Sequence, residues 1–122
     1  MLHGFPQTHA MWAEIAPCLA KGYTVICAEL RGYGASEKPQ GTENYSFRAM
    51  GSDQLALMSY LGFEKFHLVG HDRGARVSHR VALDSPDRIK SLTMMDIVPT
   101  QLLLDELSKE VVRDYYHWFF LA

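Results

Sequence analysis

Gly70, His71, Asp72, Arg73 and Gly74 set one carboxylate between two glycines. The apolar run Phe66, His67, Leu68, Val69 precedes them, and the helically spaced apolar set Ala75, Val77, Val81, Ala82, Leu83 follows. A strand-to-helix turn with small flanking residues lets the backbone fold tightly and lifts the central side chain alone above a sheet, which is a nucleophile elbow. A carboxylate at that tip is a different reagent from a hydroxyl. Attack on a carbonyl gives an unproductive anhydride, whereas attack on a saturated carbon bearing a leaving group gives an alkyl ester that water can hydrolyse. The same residue type also suits a helix N-cap, a common role for Asp at a strand-helix junction. The pattern by itself leaves both roles open.

The elements that must position this turn alternate. Met1 to Pro6 reads as a strand tail entering a loop, and further sequence upstream is expected to complete its sheet. A helical stretch from Met11 to Leu19, interrupted by Pro17 and closed by Gly22, leads to a β-rich run from Tyr23 to Ala28. Arg31 to Ser36 form a glycine-rich loop, extended by the polar segment Glu37 to Asn44. Ser46 is placed to N-cap a helix with Met50, Leu55, Leu57, Met58 and Leu61 on its buried face, and Gly62 to end it. After the elbow helix, Asp84 to Asp87 break the chain, and Ser91 to Val98 reads as a further strand ending in Asp96 and Pro99. Strands and helices alternating at this spacing predict a parallel sheet with helices on both faces. From Leu102 to Leu121 the pattern becomes one helix, closing in the aromatic group Tyr115 to Phe120.

Composition narrows the partners. The chain has 122 residues, 48% of them hydrophobic and 21% charged, and a net charge of -2. That is a globular composition without the basic surface nucleic acid requires or a charge run for a polyanion. No segment reaches the roughly 20 apolar residues of a membrane span, and no basic-then-apolar leader opens the chain. A cytoplasmic protein is expected. Cys18 and Cys27 lack metal-ligand spacing and read as buried free thiols. The six histidines, at 3, 9, 67, 71, 79 and 117, show no i, i+4 pair of the zinc type, so no metal is expected.

Taken together, His3-Gly4-Phe5-Pro6 at a strand end, Arg31-Gly32-Tyr33-Gly34 after the next, the aspartate elbow and Asp96 resemble the α/β-hydrolase superfamily. Within it, the run Asp72 to Arg76 and the pair His117, Trp118 are similar to haloacetate dehalogenases, including enzymes acting on fluoroacetate. The resemblance covers essentially the whole chain and matches the front part of such an enzyme. It implies the α/β-hydrolase fold in truncated form: a partial core over residues 1–99 and the start of a helical cap over 100–122.

The resemblance also implies roles. Asp72 is the nucleophile that displaces halide from the α-carbon, and Asp96 the acid that orients a water-activating histidine. Arg73 and Arg76 clamp the substrate carboxylate, a task suited to guanidinium forks, and offset its repulsion from Asp72. The backbone N–H groups of Phe5 and Arg73 form the oxyanion hole, and His117 and Trp118 donate to the departing halide. On pattern alone, Asp96 could cap a turn, Arg76 could be a surface residue, and His117 and Trp118 could simply pack. His71 reads as structural and directed away from the attack side. Glu29, where Asp is usual, and Ala75, where Gly is frequent, depart from the family without touching the chemistry. The family's catalytic histidine and its cap tyrosine lie beyond this sequence.

The implied activity is hydrolysis of a haloacetate to glycolate and halide, without a cofactor, on a small-molecule haloacid and in an enzyme class that is often homodimeric. Halide preference rests on pocket dimensions that the cap completes. An epoxide hydrolase uses the same elbow chemistry but commonly carries Trp after the nucleophile, where this chain has Arg73. A non-catalytic ligand-binding protein on the same scaffold is the third reading. Unpaired sheet edges predict poor stability or self-association of these residues by themselves.

Overall fold

The computed structural model describes residues 1–105, 108–114 and 116. Two parallel strands, β1 (Phe66–His71) and β2 (Ile89–Met95), pair in the register Leu68 to Leu92 and Gly70 to Met94. Leu2 extends this sheet by parallel bridges to Gly70 on one side and Ala28 on the other, so the order across it is Ala28, Leu2, β1, β2. Its N–H donates to the Val69 carbonyl at 2.8 Å, and its carbonyl accepts from His71 N–H at 3.0 Å. Parallel neighbours need long crossovers. Here those crossovers hold α1 (Ala16–Leu19), α2 (Phe47–Tyr60) and α3 (Arg73–Asp84), followed after β2 by α4 (Thr100–Asp105) and α5 (Lys109–Asp114).

The core is a cluster of Leu2, Leu30, Met50, Phe66, Leu68, Val77 and Val81. β1 supplies alternate residues to it, Phe66 and Leu68, while His67 between them is exposed, the period of two a strand imposes. α3 turns Ala75, Ser78 and Val81 inward at helical spacing. It meets α2 where Gly51 faces Val81; a Cβ on Gly51 would lie 2.8 Å from Val81 Cγ2, so the glycine sets how closely the helices approach. Each large side chain buried here contributes about 1.5–3 kcal/mol.

Several expectations are met in detail. Ser46 caps α2, its side chain accepting from Ala49 N–H at 3.2 Å, and Gly62 ends that helix with φ +82°. Others are corrected. The stretch Met11 to Leu19 is a 3-10 turn, His9–Trp12, and the single turn α1, with Pro17 inside it. Among the described residues, the run Tyr23 to Ala28 pairs through a single parallel bridge, from Ala28 to Leu2, rather than as a full strand. The expected single helix from Leu102 is divided into α4 and α5, and Ser108 caps the second by accepting from Val111 N–H at 3.3 Å. Cys18 is exposed on the short α1 rather than buried, and Cys27 is half-buried.

One ion cluster joins α2 to α3. Asp84 accepts from Arg48 at 3.0 Å and from Arg80 one helical turn back. The Arg80 hydrogen bond, then that of Arg48, holds the Asp84 carboxyl down at about 2. A carboxyl depressed in the folded state stabilises above its unfolded pKa, near 3.9, and that contribution is lost as pH falls through the folded value. Acid titrations of the native chain and Asp84→Asn, followed by circular dichroism, should therefore differ above about pH 4 and converge towards pH 2. Parallel curves throughout would show that the folded chain does not hold the Asp84 carboxyl below its unfolded value.

Candidate active site

The elbow has the backbone that a projecting side chain requires. Asp72 adopts φ 46°, ψ -117°, a sparsely populated conformation costing on the order of 1–3 kcal/mol, of the kind concentrated at functional sites. Two glycines permit it. A Cβ on Gly70 would lie 2.5 Å from the Gly74 carbonyl oxygen, and one on Gly74 would lie 2.4 Å from that of Leu2. The Asp72 N–H is tied to the Met95 carbonyl at 3.0 Å, fixing the turn to the end of β2.

Asp72 occupies the N-cap position of α3, yet its side chain makes no capping hydrogen bond. The carboxylate instead meets the loop after Leu2, where Oδ2 accepts from the Phe5 N–H at 2.8 Å. That bond removes the capping alternative and brings together two residues separated by 67 positions. The Phe5 loop is itself anchored: His3 is fully buried, accepts from Leu30 N–H through Nε2 at 3.2 Å, and faces the Gly4 carbonyl with Nδ1 at 2.9 Å. An acceptor Nε2 assigns the proton to Nδ1, which donates to Gly4. Gly4 sits so close that a Cβ would lie 2.7 Å from Asp72 Cβ.

Asp96 follows β2 at φ 58°, a second carboxylate on a left-handed backbone at the end of the strand beside the elbow. Its side chain is 80% exposed, with Oδ2 3.4 Å from His71 Nε2. Sequence reasoning had set His71 aside; the structure places it between Gly4 and Asp96, with Nδ1 buried and lacking a hydrogen-bond partner among the described residues. Arg76 is only 7% exposed, unlike a surface arginine, and its Nη1 donates to Thr100 Oγ1 at 2.8 Å. Arg73 opens α3, and its charge reaches Tyr33.

Tyr33 and Thr100 were not singled out by sequence. Burial chiefly raises the Tyr33 phenol, with Arg73 opposing and Asp72 adding, so this ring lies within the field of the site. It also packs edge-on against His3, with centroids 5.0 Å apart. The Arg31-Gly32-Tyr33-Gly34 loop was the available signal. Arg31 holds that loop through paired bonds to Asp53 at 2.7 and 2.5 Å. His117 and Trp118 lie outside the described residues. Among the described residues, no group of three or more His, Cys, Asp or Glu gathers as metal ligands do, and no helix is long and apolar enough to cross a membrane.

A strained carboxylate at a strand-to-helix turn, faced by a backbone N–H from the loop after the neighbouring strand, defines a class, and the comparisons agree. A family model describing the alpha/beta hydrolase fold matches residues 1–120, and the chain belongs to that family. It is 60% identical over 99% of its length to a fluoroacetate dehalogenase of Burkholderia sp. It is 39% identical over 81% of its length to a soluble epoxide hydrolase of Corynebacterium sp. (strain C12). It spans 41% of the first of these relatives and 34% of the second. A solved protein of Nostoc sp PCC 7120, provisionally described as an alpha/beta hydrolase, superposes with a TM-score of 0.95 at 54% identity, over 98% of this chain and 42% of the other. A Pseudomonas aeruginosa protein provisionally described as an epoxide hydrolase, solved as a mutant with bound MFA, gives 0.93 at 48%, over 99% of this chain and 41% of the other.

Proposed function

We propose that the chain carries the nucleophile half of a hydrolytic dehalogenase acting on a haloacetate. The observation that carries this reading is the Asp72 carboxylate at the strand-to-helix turn, free of any capping bond and with Oδ2 on the Phe5 N–H. With Oδ2 held, Oδ1 is the oxygen available to attack the α-carbon. The carbon–halogen bond breaks as the carbon–oxygen bond forms, halide leaves with the electron pair, and Asp72 becomes a neutral ester. Water then adds to the ester carbon and negative charge develops on Oδ2, where Phe5 N–H, joined by that of Arg73, stabilises it as an oxyanion hole. Collapse releases glycolate and a proton and restores Asp72.

Arg73 and Arg76 serve as the carboxylate clamp, and Asp96 orients the water-activating histidine of the complete enzyme. His117 and Trp118 receive the halide. Residues 1–99 form the core and 100–122 begin the cap. The reading fits a cofactor-free cytoplasmic enzyme, with a homodimer as its assembly. The 60% identity to a fluoroacetate dehalogenase supports it over epoxide opening, as does the cationic pair, which an uncharged epoxide has no use for. Epoxide hydrolysis stays as the second reading because epoxide hydrolases recur among the relatives and share the elbow.

The test is to incubate the chain with chloroacetate, fluoroacetate or styrene oxide and map adducts by peptide mass spectrometry, which separates Asp72 from the exposed thiol of Cys18. A carboxymethyl ester on Asp72 is expected with both haloacetates. An adduct with the epoxide alone would establish the second reading. A folded chain alkylated only at cysteine would remove both.

A further inference from the structure

Arg76 is held by a residue that neither the elbow nor the proposed chemistry accounts for. Its backbone is fixed to the nucleophile's turn, since Arg76 N–H donates to the Asp72 carbonyl at 3.1 Å. Its side chain reaches across to Thr100, 24 residues on, and donates from Nη1 to Oγ1 at 2.8 Å. The direction of this bond is unambiguous because arginine has no acceptor. The guanidinium is a rigid planar fork, so a bond at one nitrogen restrains where its other edges point. Arg76 as a whole is only 7% exposed, and in such surroundings hydrogen bonds to a charged group are strengthened.

Thr100 is also the first residue of α4, just past the Asp96 turn at the end of β2. The bond therefore joins the helix that carries Arg76 to the segment leaving the core.

We infer that Thr100 is a positioning residue: its hydroxyl sets the plane of the Arg76 guanidinium and so confers preference for carboxylate-bearing substrates over neutral ones. This rests on the reading of Arg76 as a carboxylate ligand. Binding through a planar, two-toothed contact depends steeply on that plane, whereas displacement at an uncharged substrate does not use it. The placement of α4 and the recognition of the anion are thereby tied together.

The experiment compares Asp72 alkylation by bromoacetate and by bromoacetamide, which present the same leaving group with and without the carboxylate. Single-turnover rates are read at Asp72 by peptide mass spectrometry over a concentration series. Thr100→Val keeps the side chain's shape and removes the acceptor. It should raise the half-saturating bromoacetate concentration about tenfold, the scale of a hydrogen bond to a charged group, with the limiting rate changed less than about twofold. Bromoacetamide rates should be unchanged, and Thr100→Ser should restore the bromoacetate value. Native behaviour of Thr100→Val towards bromoacetate overturns the inference. So does an equal loss with both reagents, which would mark a purely structural residue. Arg76→Gln separates the two levels of the argument. If it leaves bromoacetate saturation unchanged, the carboxylate clamp itself fails; if it weakens bromoacetate while Thr100→Val does not, only the inference about Thr100 fails.

Discussion

Asp72→Asn should abolish ester formation at residue 72, lowering the alkylation rate about ten-thousand-fold or more, the usual scale for removing a catalytic nucleophile. The substitution is nearly isosteric. The amide oxygen can still accept from the Phe5 N–H that Asp72 holds at 2.8 Å, and Asn tolerates a positive φ as well as Asp does at the observed 46°. Only nucleophilicity changes greatly, because an amide oxygen has no negative charge to donate. Melting temperature should therefore stay close to native while the adduct disappears. Asp72→Ala would be less informative, since it removes the acceptor and sets a β-carbon without local hydrogen bonds on a strained backbone. An undiminished adduct in Asp72→Asn would place the alkylated group elsewhere in the chain and end the elbow reading.

Gly74→Ala should be the most damaging single methyl group in the molecule. In an ordinary helix the change favours folding, with alanine preferred by about 1 kcal/mol. Here the new carbon would lie 2.4 Å from the Leu2 carbonyl oxygen and 2.5 Å from that of His3. Both are backbone atoms, so no rotamer change relieves the overlap. α3 must move away from the segment at residues 2 and 3, at the cost of the Leu2 pairing that joins two parts of the sheet. A destabilisation of about 3–5 kcal/mol is expected, a large part of the 5–15 kcal/mol typical of a domain. Gly22→Ala is the control, because a Cβ there meets nothing within 4 Å. Urea melts should show a large loss for the first and a neutral or slightly stabilising effect for the second. Equal melts would mean that helix and strand do not approach this closely.

Much of this molecule could be read locally. The elbow glycines, the Ser46 cap and the Gly62 stop depend on neighbours a few residues away, and each is seen where residue type and spacing put it. The division of the last helical stretch at Ser108 was less legible, because Leu103, Leu107 and Val111 continue the apolar period through the break. The exposure of Cys18 was missed for a related reason: its helix is a single turn, too short for its period to fix an inner face.

By itself, then, the sequence determined the alternation of strands and helices and the aspartate at the sharp turn between β1 and α3, since both follow from side-chain period and glycine placement within a few residues. That the Asp72 side chain does not cap α3, and instead accepts from an N–H 67 positions away, was decided only in three dimensions. The contacts of His71 with Asp96 and of Arg76 with Thr100 were decided there too, each across 24 or 25 positions. Such pairs have no periodicity to announce them. They depend on which strand ends lie side by side in the sheet, and that order is set by burial of the whole core rather than by any local run of residues.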